Sequence, residues 1–175
     1  AFLLNRSSDL DVLFTQSAHN DIYDSVKKDT CLAAGYMPDV VKAMYKINKN
    51  THNHYKFLCI TDDLIGAKND KEMTKLLCLY RNSGMSAIVS GQDAFMLSPT
   101  GRANCNHVCL FYQNTDSRCE DNIKMFLRSY FPRTLSMDEK IELYKRLTSD
   151  HHFLYLNNLE NTIQRCKLRG AQLVP

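Results

Sequence analysis

Two adjacent acidic residues follow an apolar run in this chain. The run is KFLCIT, at positions 56–61, and Asp62 and Asp63 come directly after it. A continuous apolar run of this length predicts a strand of a parallel sheet that is buried on both faces. Ligands of such sheets bind beyond the carboxyl ends of the strands. One carboxylate there can hold Mg²⁺ through its water shell while its neighbour orients an attacking water, as phosphoryl transfer requires.

A second apolar run brings an amide side chain to the same predicted edge. MSAIVS, at positions 85–90, runs into Gly91, Gln92 and Asp93. Because parallel strands end at one edge of a sheet, we expect Gln92 beside the acidic pair, where its amide could sense a γ-phosphate or position water. The alternative is purely structural, since an aspartate at a strand-to-helix junction often only caps a helix. A turn glutamine can likewise only satisfy loop backbone.

The spacing of the apolar residues predicts the elements that position these side chains. We expect strands at 10–15, 56–61, 85–90 and 107–113, helices at 39–48, 70–82, 119–130 and 136–148, and a polar helical segment at 18–29. Apolar strands separated by helix-length segments indicate parallel pairing through crossover helices. Two runs around Asn157 and Asn158 predict a hairpin. We therefore predict an α/β fold with a three-layer core, a mostly parallel sheet and a C-terminal hairpin, in a single domain over 1–175.

Composition narrows the class of protein only in part. The chain has 175 residues, of which 44% are hydrophobic and 23% charged, and a net charge of +3. This mild basicity permits contact with nucleic acid without demonstrating it. No apolar stretch is long enough for a membrane-spanning helix. Seven cysteines, an odd number without CxxC spacing, favour reduced thiols in a cytosol-like compartment over a disulfide scaffold.

The order of three segments resembles a known family. "FLCITDDL", "LCLYRNSGMSAIVSGQD" and "SPTGRANCNHVCLFYQ" together resemble the FtsK/HerA-type genome-packaging ATPases of large double-stranded DNA viruses and their relatives. In that family a Walker B strand ends in two acids, an Arg precedes the next strand, that strand ends in Gln, and an Arg-x-Asn precedes the strand after it. The matching residues here are Asp62 with Asp63, Arg81, Gln92, and Arg102 with Asn104. The resemblance covers about residues 55–115 and implies a P-loop NTPase-like core.

The resemblance also implies a role for each of these residues. Asp62 would hold Mg²⁺, Asp63 would polarise the attacking water, and Gln92 would act as a sensor of the bound ATP. Arg81 or Arg102 would reach the γ-phosphate of a neighbouring subunit as an arginine finger. For each arginine, a surface ion pair or packing of its aliphatic stem is the structural alternative.

The implied assembly and activity follow from the same resemblance. An arginine finger that acts on a neighbouring subunit implies a homo-oligomeric ring, usually a hexamer in this family. The family hydrolyses ATP to move double-stranded DNA into a capsid, so DNA and capsid or portal-vertex proteins are the expected partners. The expected location is the host cytoplasm, in a viral factory, or the virion.

The phosphate-binding loop is missing from the chain. A P-loop enzyme needs GxxxxGK[ST], whose backbone N–H groups and lysine cradle the phosphates, and none of the six glycines lies in that pattern. In the resembled family this Walker A loop lies upstream of the Walker B strand. We therefore expect the chain to be the C-terminal part of a longer ATPase and to be inactive on its own.

Two further functions stay open from the residues alone. A metal-dependent nuclease could use Asp62 and Asp63 with Asp93 or Glu72, provided that they converge on two metal ions. A non-catalytic α/β interaction module would use the same acids only as helix caps.

A zinc site is a weaker possibility. Cys105, His107 and Cys109 alternate along a predicted strand, with Cys119 further on, but structural zinc prefers paired ligands with two to four residues between them. We predict buried thiols there instead.

Overall fold

The computed structural model describes residues 10–24, 30–63, 70–92, 96–113, 120–169 and 172–174. Within it the chain forms two compact units, Phe2–Asn104 and Cys105–Pro175. The single domain over 1–175 stays a prediction. None of the helices that the structure describes has the length and apolar character needed to cross a bilayer.

A parallel sheet of four strands forms the centre of the first unit. The strands are β1 (Leu10–Thr15), β2 (Thr30–Ala34), β3 (Phe57–Asp62) and β4 (Met85–Val89), in the order β2-β1-β3-β4. The register sets Thr15 beside Asp62 on β1 and β3. It also sets Thr61 beside Val89 on β3 and β4. The α/β class and the parallel sheet are confirmed, whereas β2 was not predicted.

Three helices accompany this sheet: α1 (Pro38–Asn50), α2 (Lys71–Cys78) and α3 (Pro99–Ala103). Apolar side chains of α1 and α2 share one core with β1 and β3, made of residues that include Val12, Phe14, Val41, Met44, Cys59, Met73 and Leu76. Asp70 begins α2 by accepting a hydrogen bond from the Met73 amide at 2.8 Å. The helix predicted over 70–82 ends at Cys78 and continues as a 3₁₀ turn, Tyr80–Ser83, which stops at Gly84 with φ of +68°.

A buried asparagine links α1 by hydrogen bonds to the segments that precede β3 and β4. Asn48 has no exposed surface. Its Nδ2 donates to the carbonyls of Tyr55 at 2.8 Å and Ser83 at 2.5 Å. Its Oδ1 accepts from the Tyr55 amide at 3.1 Å. These contacts fix the segments that lead into β3 and β4, and so fix the relative position of the two strands.

The second unit contains an antiparallel sheet and two helices. The strands are β5 (His107–Phe111), β6 (His152–Asn157), β7 (Thr162–Arg169) and β8 (Gln172–Val174), in chain order across the sheet, and the helices are α4 (Glu120–Tyr130) and α5 (Met137–Thr148). The predicted C-terminal hairpin is β6 and β7. Ser136 and Glu139 form a capping box at the start of α5.

The strand expected at 107–113 does not join the parallel sheet. It forms β5, which pairs antiparallel with β6. Only one face of β5 joins the core: Val108 and Leu110 pack with α4 and α5, while Cys109 and Phe111 on the other face are exposed. Phe111 stacks on Phe153 of the neighbouring strand, with ring centroids 5.0 Å apart. One buried face and one exposed face are typical of antiparallel strands. The prediction that this segment pairs parallel through a crossover helix is therefore wrong.

The buried thiols expected in this strand are not found there. Cys109 is exposed and Cys105 is half-buried, so that prediction is also wrong, and Cys119 lies outside the described residues. The buried cysteines among the described residues are Cys59 and Cys166. Burial raises the pKa of the Cys59 thiol to about 12.

Candidate functional site

The acidic pair lies at the carboxyl edge of the parallel sheet, the edge at which its strands end. Asp62 is the last residue of β3, and Asp63 follows it with φ of +50°. Aspartate is one of the few residue types that adopt this left-handed conformation readily. Such backbone conformations concentrate at functional sites. The turn takes Asp63 out of the regular alternation of the strand.

Gln92 contacts the acidic pair, as the sequence led us to expect. The Ser90 amide donates to the Thr61 carbonyl at 2.8 Å and continues the pairing of β3 and β4 past the end of β4. Two residues later, Gln92 Nε2 donates to Asp63 Oδ1 at 2.9 Å. The neutral amide therefore orients one of the two carboxylates.

A tyrosine that sequence reasoning missed contacts the other carboxylate. Tyr23 lies in the 3₁₀ turn Asp21–Tyr23, which Asn20 caps by accepting a hydrogen bond from the Ile22 amide at 3.1 Å. The Tyr23 hydroxyl donates to Asp62 Oδ2. This hydrogen bond is the main reason that the pKa of Tyr23 is raised above 10.0.

Thr15 completes the contacts around Tyr23. Its hydroxyl donates to the Tyr23 hydroxyl at 3.2 Å. Thr15 ends β1 and is only 1% exposed. The available sequence signal was the position of Thr15, at the end of a strand that parallel pairing brings to the same edge as Asp62. No motif marked Tyr23, because its segment reads only as polar.

The two arginines do not join this group in the described structure. Arg81 lies in the 3₁₀ turn before β4, where the Gly84 carbonyl accepts from the Phe57 amide at the start of β3. It is exposed at the amino edge of the sheet, opposite the acids. Arg102, in α3, donates through Nη1 to the Leu97 carbonyl at 2.5 Å. Their roles as arginine fingers stay predictions, which require a second subunit.

Asn104, the last residue of the Arg-x-Asn segment, is also bonded within its own helix region. Its Nδ2 donates to the Thr100 carbonyl at 2.9 Å. This contact gives Asn104 a local structural role at the end of α3.

The additional acids of the nuclease alternative do not gather at the pair in the part of the chain that the structure describes. Glu72 accepts a hydrogen bond from the Tyr80 hydroxyl at 2.7 Å and forms an ion pair with Lys75 at 2.6 Å. Asp93 lies outside the described residues. Among the described residues, no group of three or more His, Cys, Asp or Glu side chains could hold a metal ion.

The donor atoms at this edge suit magnesium. Mg²⁺ is commonly held by one or two carboxylates, with water and substrate phosphates completing its octahedron. Asp62 and Asp63 offer carboxylate oxygens of that kind. Thr61 Oγ1 is a buried hydroxyl oxygen without a hydrogen-bond partner among the described residues, but the alternation of β3 places it on the opposite face of the strand from Asp62. The fit to magnesium therefore rests on the two carboxylates.

The chain shares its fold with solved structures of viral genome-packaging NTPases. Solved structures of the genome-packaging NTPase B204 from Sulfolobus turreted icosahedral virus 2 superimpose on most of the chain. The complex with AMPPCP has a TM-score of 0.60 and 14% identity, over 89% of this chain and 80% of that one. The complex with ATP-gammaS has a TM-score of 0.55 and 12% identity, over 90% of this chain and 96% of that one.

A third similar structure is that of a DNA-packaging ATPase. B204, the DNA-packaging ATPase from Sulfolobus turreted icosahedral virus, superimposes with a TM-score of 0.61 and 12% identity, over 89% of this chain and 82% of that one. At such identities the similarity establishes the shared fold, and so confirms the resemblance at that level. No protein-family model matches the sequence, and no curated protein sequence matches it significantly.

Proposed function

We propose that the chain is the Walker B and sensor part of an ATPase that packages a viral genome. The observation that carries the proposal is the pairing of Asp62 and Asp63 at the end of a central parallel strand, with Gln92 bonded to Asp63. Neighbours that share the fold include complexes with nucleotide analogues, which supports a nucleotide site.

In this proposal the two acids have different tasks. Asp62 is the residue that would hold Mg²⁺, directly or through its water shell. When bound, Mg²⁺ neutralises charge that develops on the transferred phosphoryl group. Asp63 accepts a hydrogen bond from the attacking water and orients it. Gln92 keeps the Asp63 carboxylate in one orientation, and so links the end of β4 to the position of that water.

The assembly follows from the same proposal. Arg81 lies at the opposite edge of the sheet from the acids, so it could act on a γ-phosphate only from a neighbouring subunit. A homo-oligomeric ring, such as a hexamer, supplies that geometry. The ring would couple ATP hydrolysis to translocation of double-stranded DNA, with capsid or portal-vertex proteins as its partners, in the host cytoplasm or the virion.

Steady-state ATP hydrolysis by the native protein tests the proposal. Asp63→Ala should abolish turnover while leaving ATP binding intact, because the carboxylate acts on water and not on the nucleotide. Asp39→Ala removes an exposed aspartate in the first turn of α1 and serves as the matched control. Unchanged turnover in Asp63→Ala would contradict the proposal.

A further inference from the structure

A line of hydrogen bonds runs from the backbone to the Asp62 carboxylate. The Ser17 amide donates to Thr15 Oγ1 at 3.2 Å. The Thr15 hydroxyl donates to the Tyr23 hydroxyl at 3.2 Å, and Tyr23 donates to Asp62 Oδ2. A backbone N–H can only donate and an ionised carboxylate can only accept. The two ends therefore fix the direction of every hydrogen bond between them.

From this line we infer that Tyr23 is a positioning residue for the metal-binding carboxylate. It holds Oδ2 of Asp62 and leaves Oδ1 to face the cation. The inference rests on the proposed function, in which Asp62 holds Mg²⁺. Carboxylates that bind metals are commonly fixed by hydrogen bonds from outer-shell groups, whose loss typically weakens metal affinity about 10- to 100-fold.

The surroundings of Tyr23 favour this role over a purely structural one. No residue of its 3₁₀ turn is buried, and Tyr23 itself is half-buried. Packing of the turn into a core therefore contributes little to its position. The buried residue in the line is Thr15, 1% exposed, whose hydroxyl accepts from the Ser17 amide and donates to the Tyr23 hydroxyl. The hydroxyl of a buried threonine thus orients a more exposed phenol toward Asp62.

The same arrangement distinguishes the two acids. Tyr23 donates to Asp62, and Gln92 donates to Asp63. Each carboxylate therefore has its own neutral donor, from a different segment of the chain. With separate donors, the Asp62 carboxylate can stay oriented toward the cation while the Asp63 carboxylate stays oriented toward the attacking water.

Binding of Mn²⁺ to the full chain, followed by the loss of the free-ion EPR signal, tests the inference. Tyr23→Phe should weaken Mn²⁺ binding about tenfold, at the lower end of outer-shell effects. Thr15→Val should weaken it in the same direction, because it breaks the line one step earlier, and Thr15→Ser should restore it. Tyr80→Phe is the matched control, because it removes a hydrogen bond from a tyrosine to a different carboxylate, Glu72.

A spectroscopic signature adds a readout that a change of stability would not give. The chain has nine tyrosines and no tryptophan, so its near-ultraviolet absorbance comes mainly from tyrosine. Adding Mg²⁺ should perturb this band by changing the hydrogen bond of Tyr23. The difference signal should vanish in Tyr23→Phe and persist in Tyr80→Phe.

The outcomes separate this inference from the proposed function. If Asp62→Asn abolishes Mn²⁺ binding and Tyr23→Phe leaves it unchanged, Tyr23 has no positioning role, while Asp62 keeps its metal. If Asp62→Asn binds Mn²⁺ as tightly as the wild type does, the metal assignment in the proposed function is wrong and the inference falls with it. Equal weakening by Tyr23→Phe and Tyr80→Phe would also overturn the inference, since the effect would then not depend on Asp62.

Discussion

Replacement of Asn48 by alanine should destabilise the unit that carries the acidic pair. The side chain has no exposed surface and makes three hydrogen bonds to the backbone of Tyr55 and Ser83. Its loss leaves two carbonyls and one N–H without these partners, at about 1–3 kcal/mol for each group left unsatisfied. Tyr55 is 40% exposed, so water can replace part of the loss. We expect the free energy of unfolding to fall by about 3–5 kcal/mol, which is large against a typical total of roughly 5–15 kcal/mol.

Urea denaturation measures this change through the transition midpoint and slope. Asn50→Ala is the matched control, because Asn50 is an exposed asparagine at the end of the same helix. It should change the free energy of unfolding by no more than about 0.5 kcal/mol. If Asn48→Ala lowers the free energy of unfolding by less than about 1 kcal/mol at an unchanged slope, Asn48 does not have the proposed role of linking α1 to the segments before β3 and β4.

Two further predictions concern acid stability and thiol reactivity. Hydrogen bonds from the Ser136 hydroxyl and amide lower the pKa of Glu139 below 4.5. The stabilisation by this capping box is therefore complete above pH 4.5 and is lost as the pH falls through the lower pKa of Glu139 in the folded state. The midpoint of urea denaturation should fall over this pH range, and Glu139→Gln should reduce the pH dependence of the midpoint. Iodoacetamide should label the exposed Cys31 in the native chain but Cys59 only after unfolding, and native labelling of Cys59 would contradict its burial.

The acidic pair and its amide were predictable because they depend on local patterns. An apolar run with polar residues directly after it predicts a buried strand and its end. Parallel pairing then brings the end of β3 and the end of β4 to one edge, and the bond between Asp63 and Gln92 agrees with that expectation. The roles of these residues in catalysis remain predictions.

Other features were not predictable because they depend on contacts between distant segments. β2 is a short edge strand, TCLAA, of half-buried and exposed residues, so it lacks the buried pattern that marks β3. β5, HVCLF, is apolar after His107, but only the face with Val108 and Leu110 joins the core. Tyr23 reaches Asp62 across 39 positions of the chain, and no local spacing signals such a contact.

A crystal structure of the native protein with Mn²⁺ and a non-hydrolysable ATP analogue is the most direct test of the central claim. The account predicts an anomalous Mn²⁺ peak beside Asp62, within reach of its carboxylate directly or through one water. It also predicts the γ-phosphate at the carboxyl edge of the parallel sheet, with Asp63 and Gln92 beside the attacking water. A nucleotide bound at another surface, with no Mn²⁺ near Asp62, would contradict the account.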